Sequence, residues 1–244
     1  MIDNIINWIW SMKEWILLFF MSFLPPLLYT IWIRNTEQYH REKWKTILIC
    51  FLWGASIAII AALILEILLG ISLAASIDNY DTLAFMTVVI VAPVAEEFTK
   101  PLALRLKSVK SEINELEDGL IYGAVAGLGF SATENLFYGW SFLKEGLFIF
   151  LILISIRSFA GCLLHASATA LTGYGYGKTL MKHSTIFRAI PYFILAIFVH
   201  SFYNFLVTIE LRGVITGLFA ALIFVTITIT FVRKKIRSLD IKSR

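Results

Sequence analysis

The sequence predicts an all-α fold, a polytopic bundle of membrane-spanning helices, on three observations. Hydrophobic residues make up 59% of the 244 and charged residues only 16%, too little charge to coat a water-soluble domain of this size. Mean hydropathy is +0.79. Seven apolar stretches approach or exceed the ~20 residues that a helix needs to cross a bilayer. The runs are continuous rather than alternating, which excludes a barrel. Helices are then the remaining way to satisfy every backbone group in lipid. No linker, repeat or low-complexity tract divides the chain, so residues 1–244 read as one membrane-embedded domain.

Taken in order, the first stretch is Trp15–Ile33, where Pro25 and Pro26 predict a kink. Ile5, Ile6, Trp8, Ile9 and Trp10 suggest an interfacial lead-in. Asp3 and the absence of a small-residue cleavage pattern argue against a cleaved signal peptide. The second stretch is Thr46–Ile67. The third, Leu83–Leu104, carries Glu96, Glu97 and Lys100, and the fourth, Gly119–Trp140, carries Glu134. The fifth, Leu147–Tyr176, holds Arg157 and His165. The sixth, Ala189–Ile209, holds His200 and Asn204, and the seventh, Val214–Val232, runs into a basic tail.

Lys and Arg give an orientation. The loops after the first, third and fifth stretches and the C-terminal tail contain 16 of the 21 basic residues. Lys13, Lys144 and Arg212 lie on the other side, and Lys100 and Arg157 within spans. The positive-inside rule predicts a cytoplasmic C-terminus and an external N-terminus. The net charge of +4 is thus a topology signal, not a nucleic-acid footprint, and the basic tail can meet anionic lipid. Cys50 and Cys162 lie inside spans without a CxxC-type partner and read as packed free thiols. Lipid-facing Phe and interfacial Trp and Tyr account for the aromatic content without a cofactor. His40 and His183 read as surface.

The ionisable residues inside spans carry the chemistry, since each costs about 2.5–3.5 kcal/mol to insert. Lys100 lies i+4 from Glu96 and i+3 from Glu97, so it can neutralise one of them. The other carboxylate is then free to face a cavity as a general base. A buried ion pair that only fixes packing is the bland alternative, weakened by the second Glu. Gly119, Gly123, Gly127 and Ser131 recur at i, i+4 and form a small-residue face for close packing. Glu134, two turns beyond Gly127, shares that face and turns inward. His200 and Asn204 are one turn apart. A lone membrane His is usually a hydrogen-bonding residue; two, with three carboxylates and an Asn, suggest a site. Arg157 reads as a charge partner.

These motifs resemble a known family. Glu96-Glu97-x-x-Lys100, Asp118-Gly119 through Gly127-Leu128-Gly129-Phe130 to Glu134-Asn135, His165-Ala166 and His200-x-x-x-Asn204 together look like the PrsW family of bacterial membrane proteases. That family is grouped with the CAAX prenyl endopeptidases and the APH-1 subunit of gamma-secretase. The resemblance covers about Val91 to Asn204. It implies an intramembrane endopeptidase of the bacterial plasma membrane, acting on membrane-anchored proteins such as anti-sigma factors in a first cleavage. It implies Glu96 or Glu97 as the base that activates water and His200 with Asn204 as oxyanion donors. Two features depart from the CAAX pattern: two residues, not three, separate Glu97 from its basic partner, and Glu134 stands where that group has His. His165 is then the candidate for the missing imidazole.

Zinc held by His165, His200 and Glu134 is the alternative, although no HExxH is present and adjacent Glu residues are poor joint ligands. A proton-coupled transporter and a non-catalytic scaffold are competing functions. Helix depth sets a tension: at ~1.5 Å per residue, Glu96 sits about 12 Å above the inner boundary, His165 and His200 about 16 Å and Glu134 about 22 Å. Tilt, or a fourth helix that starts below Gly119, would bring them level.

Overall fold

The computed structural model describes residues 2–209 and 214–243, with side chains for 12–209 and 215–242. Arg212 and Arg244 therefore lie outside the described residues, as do the side chains of Ile5, Ile6, Trp8, Ile9 and Trp10. The long helices are α1 (Ile2–Arg34), α2 (Trp44–Ala74), α3 (Tyr80–Arg105), α4 (Leu116–Lys144), α5 (Leu147–Met181), α6 (Ile186–Thr208) and α7 (Val214–Ser243). All except α4 contain, among the described residues, a segment long and apolar enough to cross a membrane, giving six candidate spans. The fold is an all-α, multi-span membrane bundle.

Each helix extends past its apolar stretch in at least one direction, because polar end residues continue the hydrogen-bond ladder after hydropathy falls. Helix α1 runs through Pro25 and Pro26, where Thr30 Oγ1 donates to the Pro26 carbonyl at 2.9 Å. Asn79 caps α3 by accepting from Thr82 N–H at 2.8 Å, and the helix tightens to 3₁₀ over Lys100–Arg105, where Pro101 removes a donor.

Helix α4 is the axis of the bundle and is buried almost continuously from Glu117 to Ala132. Its polarity keeps it out of the apolar candidates, and its glycines explain how it fits between neighbours. A Cβ on Gly123 would lie 2.5 Å from the Thr169 carbonyl oxygen of α5, and one on Gly119 or Gly127 would meet the carbonyls of Gly173 or His165. Four residues up α4 correspond to four residues down α5, so the helices are antiparallel in a fixed register. Glycine also opens the opposite side, where Gly129 meets the Phe51 carbonyl of α2. Lipid has no hydrophobic drive to push helices together, so backbone proximity of this kind supplies the packing energy. Cys50 and Cys162 are both free and buried, and Ser131 Oγ donates to Cys162 Sγ at 3.3 Å.

Candidate active site

The register of α4 on α5 places His165 level with Gly127, and α3 brings Glu96, Glu97 and Lys100 against them. Lys100 is fully buried. Its Nζ donates to Glu96 Oε2 at 2.7 Å, Glu97 Oε1 at 2.9 Å and His165 Nδ1 at 2.8 Å. The expected division, with Lys100 serving one Glu, is corrected: a long side chain at i+4 and i+3 reaches between two carboxylates that diverge by ~100° at the backbone. The Phe130 ring centroid, 4.3 Å from Nζ, adds a cation–π contact.

An ammonium has three N–H groups and nothing to accept with, so His165 Nδ1 is fixed as an acceptor. The proton of the neutral ring then sits on Nε2, which donates to Glu134 Oε2 at 2.7 Å. Both ring nitrogens of His165 are thus engaged. Glu134 Oε2 also meets Arg157 Nη2 at 3.0 Å. The Arg157 guanidinium lies 3.8 Å over the Tyr138 ring and its Nε donates to Asn135 Oδ1 at 3.2 Å.

Glu97 is fully buried and accepts from Thr169 Oγ1 at 2.9 Å and His200 Nδ1 at 2.9 Å in addition to Lys100. With its proton on Nδ1, neutral His200 keeps a lone pair on Nε2, 3.9 Å from Glu96 Oε2. The two imidazoles meet edge to face at 5.0 Å. Asn204 is not bonded to His200; its Nδ2 donates to the Val88 carbonyl at 2.9 Å.

A cavity of ≈ 620 Å³ opens on this network, with Glu96, Glu134, His165, His200 and Asn204 in its wall and Ile59, Phe137 and Val207 among its apolar lining. Glu97 and Lys100 stand behind that wall. Each of three π-helical turns, Gly54–Ala58, Thr87–Val91 and Arg157–Gly161, borders it or leads into it. Such turns interrupt the regular ladder and concentrate at functional sites; the Val88 carbonyl that receives Asn204 is in one of them. The structure therefore connects Glu96, Glu97, Glu134, His165, His200, Lys100 and Arg157 in one network, with Asn204 on the same cavity.

The depth mismatch expected for Glu134 does not arise. Helix α4 starts at Leu116, ahead of Gly119, with Glu117 and Asp118 buried in its first turn, and the packing of α4 on α5 brings Glu134 to within 2.7 Å of His165 Nε2. Sequence reasoning passed over Glu66 of α2, which also lines the cavity. The signal was available: Glu66 is an ionisable residue at the end of an apolar stretch. Thr169 and Tyr138 carried no comparable signal, because a hydroxyl and a ring are ordinary in membrane helices.

Glu96, Glu97, His165 and His200 each offer a ligand atom, all within 4.8 Å of one another. Two imidazoles with carboxylates are a donor set that suits zinc. Glu97 and Glu96 enter this set in place of Glu134, which is taken up by Arg157 and His165 Nε2. The donor types fit a metal, but Glu96 Oε2, Glu97 Oε1 and His165 Nδ1 all face the Lys100 ammonium. An ion at their centre requires that ammonium to move out.

Comparison with known proteins identifies a family. The family model described as "PrsW family intramembrane metalloprotease" matches residues 42–231. The protein named Protease PrsW from Clostridioides difficile (strain 630) is 27% identical over 205 residues, covering 81% of this chain and 82% of that protein. No solved structure matches the chain.

Proposed function

The chain belongs to the PrsW family of intramembrane proteases, and from that premise we propose that it is an endopeptidase in which Glu96 activates the hydrolytic water. It is a multi-pass protein of the bacterial plasma membrane. The observation that carries the assignment to Glu96 is its position: it is the one of the paired carboxylates that lines the cavity. Glu97 is walled off behind it with three hydrogen-bond donors.

The chemistry follows from the groups present. Water in the cavity donates one proton toward Glu96, with the His200 Nε2 lone pair close by. Its oxygen attacks the scissile carbonyl carbon, and the proton passes to Glu96. The carbonyl oxygen takes the electron pair. Asn204 Nδ2 spends one N–H on Val88 and has a second for that oxyanion. His200 donates there only as the imidazolium, because its Nδ1 proton is committed to Glu97. When the C–N bond breaks, Glu96 returns its proton to the departing amine. Lys100, itself fixed by Glu97, holds Glu96 in place, and Arg157 with His165 holds Glu134 at the cavity wall.

We assign the substrate class as single-span or lipid-associated proteins such as anti-sigma factors. All seven helices cross the membrane in this reading, α4 shielded by its neighbours, with the C-terminus cytoplasmic. The test is cleavage of a single-span anti-sigma factor co-expressed with the protein: Glu96→Gln abolishes cleavage while the protein stays folded. Cleavage at the wild-type rate by that variant rejects the proposal.

A second reading is supported by the family description and the four clustered ligand atoms. Glu96, Glu97, His165 and His200 would hold zinc after Lys100 withdraws. The metal would polarise the scissile carbonyl and make its bound water more acidic. Inhibition of the purified protease by 1,10-phenanthroline, reversed by zinc, would favour it.

A further inference from the structure

A second polar cluster lies at the far end of α4, away from the cavity. Glu37 and Glu42 in the α1–α2 connection, Glu117 and Asp118 in the first turn of α4, and Asp240 near the end of α7 are all buried. Most of their oxygens are accounted for. Asp240 accepts from the backbone N–H groups of Gln38 and Tyr39 at 2.8 and 3.3 Å. Asp118 Oδ2 accepts from Asn114 and Glu115 N–H at 2.7 and 2.8 Å. Tyr122 donates its hydroxyl proton to Glu42 Oε2, and Glu37 Oε2 accepts from Glu42 N–H at 3.1 Å. Glu115 and Asp118 form a reciprocal capping box, which explains their presence at a helix start.

What the capping box leaves unexplained is a pair of buried carboxylate oxygens, Glu37 Oε1 and Glu115 Oε2, that have no hydrogen-bond partner. Glu37 is fully buried, and one oxygen each from Glu37, Glu115 and Asp118 lie within 4.8 Å of one another. Orphaned buried acceptors are costly and call for an explanation. Cationic side chains do not provide it: Arg41 and Arg34 spend their Nε donors on the backbone carbonyls of Glu37 and Glu42. Lys43 pairs with Glu112 at 2.8 Å, and His40 meets the other oxygen of Glu115 at 3.2 Å. Among the described residues no Lys or Arg nitrogen forms an ion pair with Glu37, Glu42 or Asp118.

We propose that Glu37, Glu115 and Asp118 bind a hard divalent cation of the Mg²⁺ or Mn²⁺ type, tying the α1–α2 connection to the first turn of α4. The donors are all oxygen, which selects hard ions over zinc. Oxygens gathered within 4.8 Å can close on one such ion with small side-chain adjustments, since Mg²⁺–oxygen distances are about 2.0–2.1 Å. A divalent cation would offset the negative charge of the carboxylates gathered at this point.

The experiment uses the full-length protein in detergent micelles, stripped of metal, with Mn²⁺ as probe and electron paramagnetic resonance as readout. One Mn²⁺ binds at pH 7.5 in the wild type, Glu37→Gln weakens it at least tenfold, and His200→Ala leaves it unchanged. Mg²⁺ raises the unfolding temperature of the wild type and not of Glu37→Gln. Should Glu37→Gln fail to fold, Glu115→Gln, at a less buried position, gives the same comparison. Three results overturn the proposal: no Mn²⁺ binding by the wild type, undiminished binding by both Glu variants, or loss of binding only in His200→Ala.

Discussion

Replacing each of the paired glutamates by glutamine should separate a catalytic role from a holding one. Glu97 accepts from Lys100, Thr169 and His200, each at 2.9 Å, in a fully buried position. Glutamine keeps the shape but offers one acceptor oxygen and an NH₂. Thr169 can rotate its hydroxyl and accept; Lys100 and the His200 Nδ1–H cannot. The amide oxygen can take the Oε1 place that serves both Lys100 and His200, but the sealed Lys100 ammonium loses a full carboxylate charge, and removing one partner of a buried ion pair costs about 3–5 kcal/mol. Glu96 differs. Its Oε2 contact with Lys100 at 2.7 Å is retained by an amide oxygen, and its amide nitrogen can face the cavity. Because Glu96 lines the cavity, where solvent can screen the lost charge, Glu96→Gln should cost less, about 1–2 kcal/mol. Loss of a general base lowers turnover by about 10²–10⁴-fold. The assay pairs reversible unfolding in mixed micelles with cleavage of the co-expressed anti-sigma factor. Glu96→Gln should be folded, nearly as stable as wild type and inactive; Glu97→Gln should be strongly destabilised. Equal stabilities for the two variants, or cleavage by Glu96→Gln, would refute the division of roles.

Three other outcomes are expected. Gly127→Ala places a Cβ against the His165 carbonyl, so it should lower unfolding stability by about 1–3 kcal/mol and slow cleavage. Gly70→Ala, with nothing within 4 Å, should be neutral or gain up to about 1 kcal/mol of helix propensity; the same unfolding assay reads both. Arg157→Met leaves Glu134 with His165 alone and should cost about 3 kcal/mol. Adding Glu134→Gln should recover part of it, and strict additivity in that double-mutant cycle would show that the pair is not coupled. Finally, cleavage by purified protein should persist in 1,10-phenanthroline, and zinc-reversible inhibition would move the chemistry to the metal reading.

Hydropathy made the bundle legible because the cost of exposing backbone or charge to lipid is local and large. Any helix that crosses must announce itself over some twenty residues, and any carboxylate inside one stands out against its neighbours. For the same reason Glu96, Glu97, Glu134, His165 and His200 were all visible as one-dimensional anomalies, with Glu66 overlooked only through omission. What they touch was not visible. The i+3 and i+4 spacings allowed Lys100 to serve either Glu, and only the packing of α5 against α3 brings His165 Nδ1 to its third N–H. That contact then dictates the His165 tautomer and hence its bond to Glu134. Likewise, the glycine stripe predicted a close approach but not its partner; the carbonyls of His165, Thr169 and Gly173 on α5 set the register. The sequence by itself determined which groups are buried, through transfer free energy, which each residue carries alone. Which atoms meet is a property of pairs far apart in the chain, and only the tertiary structure decided it.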